Sequence, residues 1–290
     1  MTWADGGGGP IAGVRHTRTP HDFMMLDPAR STAAGAAVTQ AIEVRKGELM
    51  TTAEQPVVVL VHGAFAESAS WNRVIQRLHD RGLTAVAAAN PLRSVEGDAA
   101  YVRDVIAGIG RPVVLVGHSY GGMVITQAAA GNDAVQALVY VAAFAPEPGE
   151  SALALSGKFE GSSLGGALVA YPVSSGGNEF RIAEDTFHHQ FCADLDADEA
   201  ALMAATQRPV TEQALTDGLT VSEPGWRTKP SWFVHGDRDL SIPATALRFM
   251  AERAGSRGTR EIAGASHAVG VSQPDAVAAA VFDAVGHVQG

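Results

Sequence analysis

Arg111 to Ala130, RPVVLVGHSYGGMVITQAAA, constrains the fold more than any other stretch of this chain. Val113 to Val116 has the length and β-branched content of a buried parallel strand. Gly117-His118-Ser119-Tyr120-Gly121, a G-x-S-x-G, follows, and Met123 to Ala130 reads as a helix of small and apolar residues. A strand, a Gly-flanked turn and a helix in that order make a nucleophile elbow. Such a turn holds its serine in a strained backbone conformation and brings the chain close to the residues two before and two after it. Glycine removes the side chains that would clash there. The Ser119 hydroxyl then stands at the end of the sheet, beside backbone N–H groups at the start of the helix.

The surrounding chain supplies a matching sheet. Val57 to Val61 is a second continuous apolar strand, and Leu83 to Ala89 and Val135 to Phe144 are further strands. Trp71 to Arg81, with Ser70 as its cap, and Asp98 to Ile109 read as the intervening amphipathic helices. Strand and helix alternate as in a parallel sheet with right-handed crossovers. Alternation fails from Glu147 to about Lys229, a stretch with helical signals near Asp198 to Ala205 and Thr211 to Leu219. It resumes with Ser231 to His235, Ala244 to Arg253, Thr259 to Ile262 and Asp275 to Val285. The expected organisation is a core of residues 56–146 and 230–290 with an inserted cap of residues 147–229. Residues 1–55, with Gly6-Gly7-Gly8-Gly9-Pro10 and no sustained period, read as a disordered extension, and Met50 as the expected start of the working protein.

A serine hydroxyl needs a base within hydrogen-bond reach, and the base needs an orienting group. His267, in Gly264-Ala265-Ser266-His267 after a late strand, is the expected base. Asp239 and Asp237 both follow the strand before it. Asp239 lies farther out in a loop closed by Pro243 and is the favoured acid; Asp237 more simply braces the loop. The Tyr120 N–H and the Ala64 N–H, with Phe65 as fallback, are the expected oxyanion donors. Phe65, Phe144 and Phe187 are the expected substrate contacts, with Phe191, Leu153, Phe159 and Trp226 in or beside the cap. His62 and His118 read as packing beneath the site. His188, His189, Cys192 and Asp194 match no established metal-ligand spacing, so no metal site is expected.

A net charge of −10 argues against nucleic acid or an anionic membrane surface as partner. One cysteine excludes an internal disulfide, and no apolar run reaches the ~20 residues of a membrane span. A cytoplasmic protein is expected, with its oligomeric state open and a homodimer among the options.

The segments VVVLVHGAFAESASW, VVLVGHSYGG, LVYVAAFAP, ALMAATQRPV, HGDRDLSIP and GASHAVGVSQPDAV, in that order, resemble the α/β-hydrolases. Within them the chain resembles the branch of small plant methylesterases and hydroxynitrile lyases and their bacterial esterase relatives. The resemblance implies an α/β-hydrolase fold, a mostly parallel sheet of about six strands flanked by helices, with a helical cap inserted after the strand ending near Phe144. It implies Ser119, Asp239 and His267 as a catalytic triad, Ala64 and Tyr120 as oxyanion donors, and a cofactor-free cleavage of small carboxylic esters. Three alternatives share this scaffold: a cyanohydrin lyase, a haloperoxidase-like perhydrolase and a non-catalytic ligand receptor. In the lyases a threonine follows the first-loop histidine and a lysine follows the catalytic one. Gly63 and Ala268 stand there in this chain.

Overall fold

The computed structural model describes residues 55–174 and 176–289; the expectations for the N-terminal extension and for Met50 lie outside them. The strands of the main sheet are β1 (Val57–Val61), β2 (Ala85–Ala88), β3 (Val113–His118) and β4 (Val135–Val141). Helices α1 (Asn72–Asp80), α2 (Val95–Ile109) and α3 (Gly121–Ala129) connect them. After β4 come α4 (Ala152–Ser156), α5 (Leu164–Ala167), β5 (Leu168–Pro172), β6 (Asn178–Ile182), α6 (Glu184–Phe191), α7 (Ala197–Thr206), β7 (Val210–Thr211), α8 (Glu212–Thr216) and α9 (Gly225–Thr228). The chain then returns to the main sheet with β8 (Ser231–Gly236), α10 (Ala244–Arg253), β9 (Gly258–Ile262), α11 (Val269–Ser272) and α12 (Pro274–Gln289).

Six strands lie in the order β2-β1-β3-β4-β8-β9, and each adjacent pair is parallel. The central strands β1, β3 and β8 are buried along their whole length, as strands covered by helices on both faces must be. Alternate residues of each strand feed two hydrophobic layers. Val57, Val59, Leu115 and Leu138 face one, and Val58, Leu60, Val114 and Val139 the other. The chain reverses direction across the sheet between β1 and β3, so their carboxyl ends open a crevice, the usual place for a site in such a sheet.

Three local expectations change. Ser70 lies in a short 3-10 turn, Ser68–Trp71, and its hydroxyl donates to Glu67 O at 2.6 Å rather than capping the helix, which starts at Asn72. The helix expected from Asp98 starts at Val95, where Ser94 accepts from Gly97 N–H at 3.1 Å. The insertion carries the expected helices and, in addition, a three-stranded antiparallel sheet, β5-β6-β7. Among the described residues no helix is long and apolar enough to cross a membrane.

Candidate active site

The elbow is held from three sides. Ser119 has φ +53°, a left-handed conformation unusual for a residue with a side chain. Its N–H donates to Val141 O, and its carbonyl accepts from Gly122 N–H and Phe144 N–H, at 3.2, 2.9 and 3.2 Å. The end of β4 therefore clamps the strained residue. The loop after β1 presses against the other side. A Cβ on Gly63 would lie 2.6 Å from Ser119 Cβ, and one on Gly121 would lie 2.4 Å from Val61 O. No side chain fits at either position.

His267 follows β9 and Asp239 follows β8, and the fold brings them together. His267 Nδ1 lies 2.7 Å from Asp239 Oδ2, with both side chains buried. Asp239 Oδ1 accepts from the N–H groups of Ser241 and Ile242, each at 2.8 Å, so the carboxylate is fixed before it meets the imidazole. Asp237 points elsewhere: its Oδ1 accepts from Gly264 N–H at 2.6 Å and ties the β8 loop to the β9 loop in solvent. Ser119 and His267 face one pocket, although neither the Ser119 hydroxyl nor His267 Nε2 forms a hydrogen bond among the described residues.

His118 is bonded through Nε2 to His267 O at 3.1 Å, and its ring lies 4.7 Å from the His267 ring. Burial, then the nearby His267, hold its pKa well below the usual histidine value. It is therefore a neutral ring whose Nε2–H donates to the His267 carbonyl, joining the elbow strand to the loop after β9. His62 is also buried. Its pKa is lowered to about 4, chiefly by burial, and its Nδ1 is bonded to Gly63 O at 2.9 Å.

Ala64 and Tyr120 line the same pocket, and neither N–H has a hydrogen-bond acceptor among the described residues. Phe65 N–H is committed to Arg208 O at 3.1 Å, which removes it as a donor to a ligand. The pocket has room for about 90 Å³ and no charged wall. Phe65 and Phe144 line it. Phe187 does not: α6 turns it inward, where it is fully buried against Phe191 at a ring separation of 5.1 Å. Phe191 in turn meets the His267 ring edge-on at 5.0 Å, so Phe187 stands two layers behind the imidazole. Leu153 is in the wall, while Phe159 packs on Phe249 and Trp226 donates to Pro146 O. Leu164, Leu168, Leu215 and Ile242 complete the apolar wall. Nothing in their spacing marked them, because α5, β5 and α8 are too short to show a period and Ile242 lies in the loop between β8 and α10. Among the described residues no three His, Cys, Asp or Glu side chains gather as a metal site. His188 Nε2 is bonded instead to Leu195 O at 2.9 Å, and Asp194 accepts from the Ser266 hydroxyl.

This fold is that of a known class, and the chain belongs to the alpha/beta hydrolase family, whose model matches residues 58–280. It is 27% identical over 258 residues to the alpha/beta hydrolase nvfD of Aspergillus novofumigatus, covering 80% of this chain and 97% of that one. It is 27% identical over 242 residues to the esterase PIR7B of Oryza sativa subsp. japonica, covering 74% and 90%. Among solved structures it superposes on the methylesterase MES16 from Arabidopsis with a TM-score of 0.67. There the identity is 16%, with 80% of this chain and 99% of that one covered.

Proposed function

We propose that the protein is a cofactor-free serine esterase acting on small carboxylic esters. The observation that carries this reading is the buried Asp239–His267 pair facing Ser119 in a pocket of uncharged side chains. Ser119 attacks the ester carbonyl while His267 Nε2 takes its proton. Asp239 keeps the Nδ1–H tautomer in place and stabilises the imidazolium. The unengaged N–H groups of Ala64 and Tyr120 receive the oxyanion of the tetrahedral intermediate. His267 then protonates the departing alcohol, and water, activated by the same imidazole, releases the acyl group from Ser119. The Ser119–His267 hydrogen bond forms when substrate closes the pocket, since such bonds are often long before substrate binds.

The apolar wall supports esters with a compact, uncharged acyl or alcohol part. The test is turnover of a panel of p-nitrophenyl, methyl and lactone esters by the wild type and by Ser119→Ala. The reading expects wild-type turnover and a loss of ~10⁴-fold or more in the variant. Retention of more than a few per cent of turnover by folded Ser119→Ala would defeat it.

A further inference from the structure

Behind the elbow lies a buried carboxylate to which the mechanism above gives no part. Asp98, in the first turn of α2, has no exposed surface. Its Oδ2 accepts from Tyr120 OH at 2.9 Å, and its two oxygens share the Arg93 N–H at 3.1 and 3.2 Å. A buried carboxylate is costly unless it is well bonded. Here burial pushes the Asp98 pKa up, and the Arg93 and Tyr120 hydrogen bonds pull it back.

Tyr120 is the residue after Ser119. The peptide joining them carries the unengaged N–H on one side and the Ser119 carbonyl on the other. That carbonyl is anchored by Gly122 and Phe144 N–H, and the Tyr120 carbonyl accepts from Met123 N–H at 2.9 Å. The phenol is a further anchor, and it reaches across to a different helix. The turn that starts this helix is braced as well: Leu92 O accepts from Thr211 N–H at 3.1 Å and Arg93 O from the Thr211 hydroxyl at 2.6 Å. Asp98 thus ties the residue following the elbow to a part of the frame that is itself fixed to β7.

We propose that Asp98 is a positioning residue for the oxyanion site: by holding the Tyr120 phenol it fixes the peptide that presents the Tyr120 N–H to the pocket. The inference rests on the serine-esterase reading of that pocket. Asp98 touches no substrate and acts only through Tyr120. An oxyanion donor must stand within a few tenths of an ångström of its working distance, and removing one outright costs ~10²–10³ in kcat. Loosening one costs less, about tenfold. Because the oxyanion forms after binding, the loss falls on kcat rather than on KM.

The experiment compares Tyr120→Phe, Asp98→Ala and Asp98→Asn with the wild type in kcat, KM and affinity for an aryl boronic acid. The boronic acid forms a tetrahedral adduct with the serine and so reads the oxyanion site without turnover. Tyr120→Phe is expected to lower kcat about tenfold, to leave KM within about twofold, and to weaken the boronic acid by the same factor as kcat. Asp98→Ala should lose at least as much. Asp98→Asn keeps an amide oxygen for the Tyr120 phenol at the Oδ2 position but sets its NH₂ against the Arg93 N–H on the other side, and should fall between Asp98→Ala and the wild type. Unchanged kcat and boronic acid affinity in Tyr120→Phe overturn the proposal, as does an Asp98→Asn as impaired as Asp98→Ala. Should Asp98→Ala fail to fold, Tyr120→Phe decides alone. Loss of turnover in Ser119→Ala with no effect of Tyr120→Phe would refute this inference and leave the esterase reading standing.

Discussion

Replacing Asp239 by asparagine tests the division of labour between the two loop carboxylates. The side chain is buried and accepts three hydrogen bonds, from Ser241 N–H and Ile242 N–H on Oδ1 and from His267 on Oδ2. An amide has one acceptor oxygen, so it must choose. Turning its NH₂ toward Ser241 and Ile242 would strand two buried donors, at about 1–3 kcal/mol each. The oxygen therefore stays on the backbone, and the NH₂ faces His267 Nδ1. The imidazole answers by moving its proton to Nε2, and it can then no longer accept one from Ser119. The expected loss is about 10⁴-fold in kcat, or about 5.5 kcal/mol, with the fold retained because both backbone bonds remain. Asp237→Asn keeps an acceptor for Gly264 N–H in an exposed loop and should stay within about threefold. The assay is p-nitrophenyl ester turnover by purified variants whose melting has been checked. An Asp239→Asn enzyme within thirtyfold of the wild type, or the reverse ranking of the two variants, would refute the reasoning.

Gly63→Ala should be both less stable, by about 1–3 kcal/mol, and at least a hundredfold slower, because the new methyl meets Ser119 Cβ and His118 O rather than a mobile side chain; thermal melting and ester turnover check both. For His62 the folded pKa of about 4 lies below the unfolded 6.5, so the unfolded chain binds the extra proton between those values. Its contribution is fully present above 6.5 and falls by roughly 3 kcal/mol as pH drops to 4, at 1.36 kcal/mol per unit. Urea unfolding across that window should show at least that fall, since the buried His118 contributes in the same direction, and His62→Gln should remove the His62 share and leave a shallower slope. The lyase alternative predicts Ser119-dependent cleavage of mandelonitrile; with Gly63 and Ala268 in place, gas chromatography should find none above the buffer rate.

Most of the main sheet was legible because its strands are continuous apolar runs bounded by glycine and proline, and burial on both faces demands that pattern. The elbow was legible because sterics leave few residue choices around Ser119. The insertion was less so. The strand β5 mixes exposed and half-buried positions, with Val169 46% exposed, and β6 runs half-buried, buried, half-buried, half-buried, buried, so no alternation marks them. Phe187 was expected at the substrate because an aromatic in a cap often is. The face a helix turns inward depends on its partners, and α6 packs Phe187 beneath Phe191. Asp98 carried no sign of its contact with Tyr120. As an acid near the start of a helix it has an ordinary reading, and only the packing of α2 against the elbow brings it to Tyr120.

The central claim is that Ser119 is the nucleophile activated by His267. Peptide mass spectrometry of the protein treated with a fluorophosphonate tests it most directly, because the reagent reports the reactive hydroxyl by its position in the chain. The account predicts one adduct, on Ser119, absent from Ser119→Ala and strongly slowed in His267→Ala. No adduct on the folded wild type, or an adduct on another residue that persists in Ser119→Ala, would contradict it.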